Sequence, residues 1–405
     1  MTPLNILVLA PQPFFQPRGT PIAVRALVEQ LATEGHRIDL VVYSEGEDLA
    51  IPNCTVHRVP KLPGIRGIRP GFSIKKLVSD LVLGVKALRL MRRSRPDVVH
   101  AVEESAFIGM LGRRLYGIPF IYDMDSSLAQ QLVEQLPYLV LLLPLFVLFE
   151  RAVVRASAGT IVVCRALEHV ARQHAPGSPI ARVEDSSLLA DDLSIVREPL
   201  PSAARRGPVA MYVGNLEPYQ GIDLLLEGFQ HALREEPDAQ LVLIGGPAPA
   251  IAAYRARSNV LGIARNVHFL GPKPVALLGN YLRQADVLVS PRIRGVNTPM
   301  KLYSYLDSGV PVLATRLSMH TQVLDDAVAL LADPVPEAVG TGLVALFRDP
   351  VARGELGIRG RRLARREFAA EAVAHRLRTF YEEISEQLQR PTSRGVPSNQ
   401  PPNAA

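Results

Sequence analysis

The stretch SPRIRGVNTPMKLYSYLDSGVPVLAT, from Ser290 to Thr315, decides how the rest of the chain is read. It opens on the end of an apolar strand (285–290), passes a basic turn carrying Arg292 and Arg294, and enters a helix whose start is written in its residues. Thr298 is a suitable N-cap, and Pro299 suits the first helical position, where a missing N–H leaves nothing unpaired. The helix is predicted to end near Asp307 with Gly309 free to take the left-handed cap, and 310–314 reads as the next buried strand. Strand, helix and strand in that order form one crossover unit of a parallel sheet. The backbone amides of Met300, Lys301 and Leu302 are expected to face outward at the positive end of the helix, with three cations close in sequence. That combination suits an anion, phosphate above all. The alternative is a capped strand-to-helix turn that binds nothing.

The same alternation extends in both directions. Residues 4–10 read as a strand, followed by a Pro-rich loop to Gly19, a helix over 22–34 that stops at Gly35-His36, and a strand over 38–43. Gly19 is thereby placed where backbone approaches a ligand at the carboxyl end of the first strand. No GxGxxG is present, so nothing argues for a nicotinamide or flavin cofactor. Strands near 56–59, 98–101, 120–123 and 160–163 alternate with helices at 74–93, 106–116 and an apolar run reaching 156, which predicts a parallel sheet flanked by helices. The pattern thins over 185–208, where the domain junction is placed. It begins afresh with a strand at 209–214, a helix at 224–235, strands at 240–245 and 267–270, and a helix at 275–284. A basic helix (351–368) and a last helix (371–389) follow, and the Pro-, Ser- and Asn-rich tail 390–405 is expected to be disordered. Two successive doubly wound units invite a ligand into the cleft between them.

Composition narrows the class. At 405 residues the chain exceeds one ordinary core, and 48% apolar against 21% charged residues excludes a disordered chain. Cys54 and Cys164 have neither metal-ligand spacing nor a disulfide framework, which suggests a reducing compartment. The amino end lacks a basic n-region, which argues against a signal peptide. Residues 136–149 (LPYLVLLLPLFVLF) are continuously apolar but contain Pro137 and Pro144 and fall short of the roughly 20 residues that span a bilayer, so a buried or interfacial helix is expected. The net charge is +6. Basic residues gather at Lys61, Arg66, Arg69, Lys75 and Lys76, over 86–95 and over 359–366, either as solvated helix faces or as attractors of anionic lipid headgroups. No nucleic-acid reading motif appears, and Trp is absent.

MYVGNLEPYQGIDLLLEGF (211–229), LVLIGG (241–246), VHFLG (267–271), ADVLVSP (285–291) and PMKLYSYLDSGVPVLAT (299–315) are similar, in order and spacing, to motifs of one family. With the glycine-containing entry at Gly19 and the Gly35-His36 that ends the first helix, the chain resembles the family-4 glycosyltransferases of the GT-B fold over about 4–388. The resemblance implies two Rossmann-like doubly wound parallel-sheet domains facing across a cleft. An acceptor-side domain covers 1–195, completed by helix 371–388, and a nucleotide-sugar domain covers 206–370. It implies a retaining, hexosyltransferase-type enzyme that moves a sugar from a nucleoside diphosphate sugar to a lipid-linked or polysaccharide acceptor, with no metal or other cofactor. The expected setting is cytoplasmic, at the inner face of the membrane, with peripheral contact to anionic lipid that accounts for the basic loop and the apolar helix, and with no nucleic-acid partner.

The departures bear on mechanism. The family's first cation after the glycine is Asn215 here and its lysine is Gln220; its two glutamates fall on Val296 and Ser304, and its first-domain histidine on Asp125. Loss of charge from a departing diphosphate site needs replacement, and Lys301, Arg292, Arg294, the helix terminus and Arg18 are the substitutes. Asp125 and Lys301 are the catalytic candidates. Donor-binding candidates are Gly19, Gly214, Asn215, Gln220, Gly245, Arg292, Arg294, Asn297, Thr298, Met300, Leu302 and Ser304. Glu217 and Asp223 read as helix-start acids, His100 as packed, and His320 as a residue that approaches the cleft. A scaffold subunit with lost chemistry, or a sugar-nucleotide epimerase, are the rival readings.

Overall fold

In the computed structural model, which describes residues 3–16, 19–65, 67–68, 73–129, 137–189 and 198–389, two sheets with parallel strands form two lobes. The first lobe runs β1 (Asn5–Leu9), α1 (Gly19–Thr33), β2 (Arg37–Val42), β3 (Cys54–Arg58), α2 (Ile74–Ser94), β4 (Val98–Val102), α3 (Ala106–Tyr116), β5 (Phe120–Met124), α4 (Leu143–Ala156), β6 (Gly159–Val162), α5 (Arg165–His174) and β7 (Ile180–Arg182). The second runs β8 (Val209–Val213), α6 (Ile222–Ala232), β9 (Gln240–Ile244), α7 (Ala248–Val260), β10 (Val267–Gly271), α8 (Leu278–Leu282), β11 (Val287–Ser290), α9 (Lys301–Ser308), β12 (Val312–Thr315), α10 (Ser318–Thr321), β13 (Leu330–Ala332), α11 (Pro336–Arg348), α12 (Pro350–Glu367) and α13 (Ala370–Gln389). The sheet orders are β3-β2-β1-β4-β5-β6-β7 and β10-β9-β8-β11-β12-β13. In both, the first strand of the lobe sits inside the sheet and the order reverses beside it, which opens a crevice at the strands' carboxyl ends.

Helices cover both faces of each sheet, so β4, β5 and β9 are buried along their whole length. One face of the first sheet packs on α1 and on α13, which crosses back from the second lobe: Leu377, Phe380, Tyr381 and Ile384 join Ile6, Val8 and Ile161 in one core. A Cβ on Gly159 would lie 2.7 Å from Ile384, so β6 admits α13 only with glycine there. The Tyr381 hydroxyl meets His100 Nδ1 at 2.8 Å while His100 Nε2 meets Asp123 at 3.0 Å, which fixes His100 as a buried tie between β4 and the returning helix.

Several expectations change. α1 begins at Gly19 and not at 22, and α5, α7, α11, β7 and β13 are elements the pattern did not reveal. α7 has a physical reason: its apolar contacts are sparse, Ala250, Ile251 and Tyr254 being only partly buried against the core and Ser258 its one fully buried residue. Thr298 does not cap α9. Met300 takes the cap position without a side-chain bond, and the first turn closes through backbone, Leu302 N–H to Pro299 O at 2.9 Å and Tyr303 N–H to Met300 O at 3.3 Å. The apolar run forms a 3-10 turn, Pro137–Leu142, and α4, but it is not buried: Leu141 is 88% exposed and Phe149 50%. Arg18, Arg66, Arg69, residue 136 and the tail 390–405 lie outside the described residues.

Candidate active site

A cleft of about 600 Å³ separates the lobes at the carboxyl ends of both sheets. Its second-lobe wall is built by the turns after β8 and β11 and by the start of α9. Lys301 projects from the first turn of α9 so that its Nζ donates to Gln220 Oε1 at 3.1 Å and lies 3.8 Å from the centroid of the Tyr212 ring. It fits because residue 214 is glycine: a Cβ there would lie 2.7 Å from that Nζ. Gly245 in turn is forced by Gly214, whose carbonyl would lie 2.2 Å from a Cβ at 245, in a backbone of φ +110°. Arg292 is the second cation. Its Nε donates to Arg294 O at 2.8 Å, its Nη1 to Asn297 O at 3.3 Å, and its guanidinium stands 5.2 Å from the Tyr219 ring centroid. Burial, and then the charge of Arg292, hold the Lys301 ammonium well below its ordinary pKa. Lys301 as a whole is half-buried at the cleft wall.

The opposite wall is acidic. Glu103 follows β4, Asp125 follows β5, and Asp185 follows β7 by three residues; all three line the cleft. Burial and the crowding of neighbouring carboxylates raise Asp125 well above the usual range, and raise Glu103 and Asp185 to about 7. Glu103 is held at φ +49°, a left-handed backbone that a glutamate adopts only under constraint. Lys76 enters this wall from α2 and pairs with Glu104. Across the cleft, the Asn297 side-chain amide donates to the backbone carbonyl of Asp125.

The structure brings Asp125, Lys301, Gly19, Gly214, Asn215, Gln220, Arg292, Asn297, Thr298, Met300 and Ser304 to one cleft. It does not bring Gly245, Arg294 or Leu302 there. Gly245 lies behind Gly214, Arg294 is exposed and offers Arg292 its carbonyl, and Leu302 points into the second lobe's core with its amide already bonded. Among the described residues, the amides of Met300 and Lys301 have no protein acceptor. Ser304 accepts from Leu188 N–H at 2.9 Å, which ties the interlobe segment to α9. His320 turns away from the cleft: it is fully buried between Ser290 Oγ at 2.9 Å and the Thr315 carbonyl at 2.8 Å, and burial pushes it down to about 4. Sequence reasoning missed Glu103, Asp185, Lys76 and Lys273. The available signal was an acid directly after an apolar strand, as in VVHAVE.

Two family models match: "Glycosyl transferase 4-like domain" over residues 18–185 and "Glycosyl transferases group 1" over 207–349, together well over half of the chain. The chain is 24% identical over 389 residues to the phosphatidyl-myo-inositol mannosyltransferase of Mycobacterium leprae, covering 94% of this chain and 97% of that one. Its fold is that of the sucrose-phosphate synthase from Thermosynechococcus elongatus (TM-score 0.76, 19% identity, 95% of this chain and 100% of that one). HepE of Anabaena, solved in complex with UDP-glucose, gives a TM-score of 0.70 at 14% identity over 95% of this chain and 100% of its own. Two parallel-sheet lobes, a cleft at their strand ends and the paired family matches agree, and the chain belongs to the family-4 glycosyltransferases of the GT-B fold.

Proposed function

We propose that the enzyme transfers a hexose from a nucleoside diphosphate sugar, with retention of configuration, to a saccharide on a lipid carrier or a growing polysaccharide. The observation that carries this reading is the polarity of the cleft: Lys301, Arg292 and the amides of Met300 and Lys301 on one wall, carboxyls on the other. The bond from the anomeric carbon to the diphosphate breaks and the acceptor oxygen bonds to the same face. Negative charge develops on the diphosphate, where the cationic wall stabilises it. The uncharged Asn215 and Gln220 donate hydrogen bonds, and Lys301 supplies the charge those positions lack. Asp125, whose carboxyl is raised well above the usual range by burial and neighbouring carboxylates, orients the acceptor through a hydrogen bond and takes up its proton when ionised. Ser304, already engaged by Leu188, retains its hydroxyl proton for a ribose oxygen.

The named substrate of the mycobacterial relative, phosphatidyl-myo-inositol, and the UDP-glucose bound in the HepE structure support a lipid acceptor and a nucleotide donor. The setting assigned is the cytoplasmic face of a membrane; no helix among the described residues is long and apolar enough to cross one. The test is a panel of UDP-, GDP-, ADP- and dTDP-hexoses scored by thermal stabilisation and by nucleotide release with lipid-linked saccharides. No donor raising the melting midpoint would sink the proposal. The depressed Lys301 favours a second reading, a binding subunit without transfer, which predicts donor binding with no release in the presence of any acceptor.

A further inference from the structure

Fifteen of the twenty-three large apolar side chains exposed among the described residues lie on α2, α3, α4 and the turn before α4. They are neither scattered nor the fringe of a core. On α2, Ile74, Leu77, Leu81 and Val85 recur at helical spacing on the side away from the sheet, from 78% exposed at Ile74 to 43% at Val85. On α3, Phe107, Leu111 and Leu115 repeat every fourth residue and are also exposed. α3 packs between the other two helices: Ile108 lies against Gly84 of α2, and Arg113 donates to the Ala156 carbonyl at the end of α4. The three outward faces therefore adjoin, and the turn ahead of α4 extends them with Tyr138 and Leu141, 73% and 88% exposed. Soluble monomers rarely leave an apolar surface of this extent to water.

Charge selects the occupant. The four helical segments contain two acids, and both turn inward: Asp80 accepts from the Tyr43 hydroxyl, and Glu150, 2% exposed, is taken up by Ser127, the Ala129 amide and His174. No carboxylate on these segments faces out, whereas Arg89, Arg92 and Arg93 on α2 and Arg113 and Arg114 on α3 are exposed. An apolar face rimmed by cations without anions matches the boundary between headgroups and acyl chains of an anionic bilayer. The first turn of α2 also reaches the cleft, since Lys76 lines it while Ile74 and Leu77 stand outside.

We propose that the joined faces of α2, α3 and α4 insert into an anionic lipid bilayer and set the mouth of the cleft at the membrane surface, so that a lipid-borne acceptor is engaged without leaving the bilayer. Delivery of the acceptor rests on the transferase reading; the insertion itself does not, and vesicle binding needs no donor. The chain has no Trp, so Leu141→Trp and Leu81→Trp each create a single reporter, with Val351→Trp on the second lobe as control. With the full chain and phosphatidylglycerol-containing vesicles, emission at 81 and 141 shifts to the blue and is quenched by brominated acyl chains, while 351 does not change. Arg92→Gln and Arg93→Gln each weaken partitioning about five-fold, and Leu141→Asp with Leu145→Asp abolishes flotation with an unchanged melting midpoint and unchanged affinity for UDP or GDP. No shift on any vesicle overturns the proposal. So does equal binding to pure phosphatidylcholine, or a shift that grows with protein concentration in the absence of vesicles, which assigns the face to a second copy of the chain.

Discussion

Lys301→Met tests the donor site with two effects of opposite sign. Without a diphosphate, the ammonium lies beside Tyr212 and Gln220, and burial together with the charge of Arg292 disfavours its charged form. Methionine keeps the apolar stem out to the ε position and removes that burden, and the melting midpoint rises by about 2–4 °C for each kcal/mol relieved. With a diphosphate bound, the same amine makes a buried charge-assisted contact. Truncating one partner of such a pair costs roughly 2–5 kcal/mol; because Arg292 shares the anion, the lower end applies, about 30-fold in Kd. Calorimetry with UDP and GDP measures the affinity, and scanning fluorimetry the midpoint. Binding also raises the pKa of the amine, so affinity for nucleotide declines as pH rises from its depressed value without nucleotide to the higher value of the complex, and this slope vanishes in Lys301→Met. Equal affinity in parent and variant would refute the donor site; a lowered midpoint would refute the account of the buried ammonium.

Buried carboxyls of the first lobe make stability depend on pH. Asp80, Glu103 and Asp185 rise from about 4 to about 7 on folding, so the folded state holds more protons than the unfolded one in that window. Stability is full below about pH 4 and falls as pH rises to about 7; Asp185→Asn flattens the decline, and a midpoint rising over the same range contradicts this. Asp125→Asn lowers turnover roughly 100-fold while raising the midpoint at pH 8, read by a transfer assay and melting. Gly245→Ala drives a Cβ toward the Gly214 carbonyl and destabilises the second lobe by about 3 kcal/mol, so an unaltered melt would show the turn to be pliable. Ser304→Ala orphans the Leu188 amide and costs about 1–3 kcal/mol, measured by denaturant unfolding.

The amino-acid sequence alone determined the alternation of strand and helix, the restart of the second sheet near Val209, and the cationic strand-to-helix turn that ends at Lys301. These are local properties: apolar period, glycine and proline placement, and cations near a helix start act within a few residues. Only the tertiary structure decided that Glu103, Asp125 and Asp185, spread over more than eighty residues, share one wall, because parallel strands bring their carboxyl ends to a single edge of the sheet. It also decided that Leu302 faces the core and His320 is sealed behind β12, choices set by which side of a helix meets the sheet. The apolar run through Phe149 shows the limit most plainly. Composition marks such a segment as averse to water, but whether protein or lipid covers it depends on what packs beside it, and here the neighbouring helices turn apolar side chains the same way.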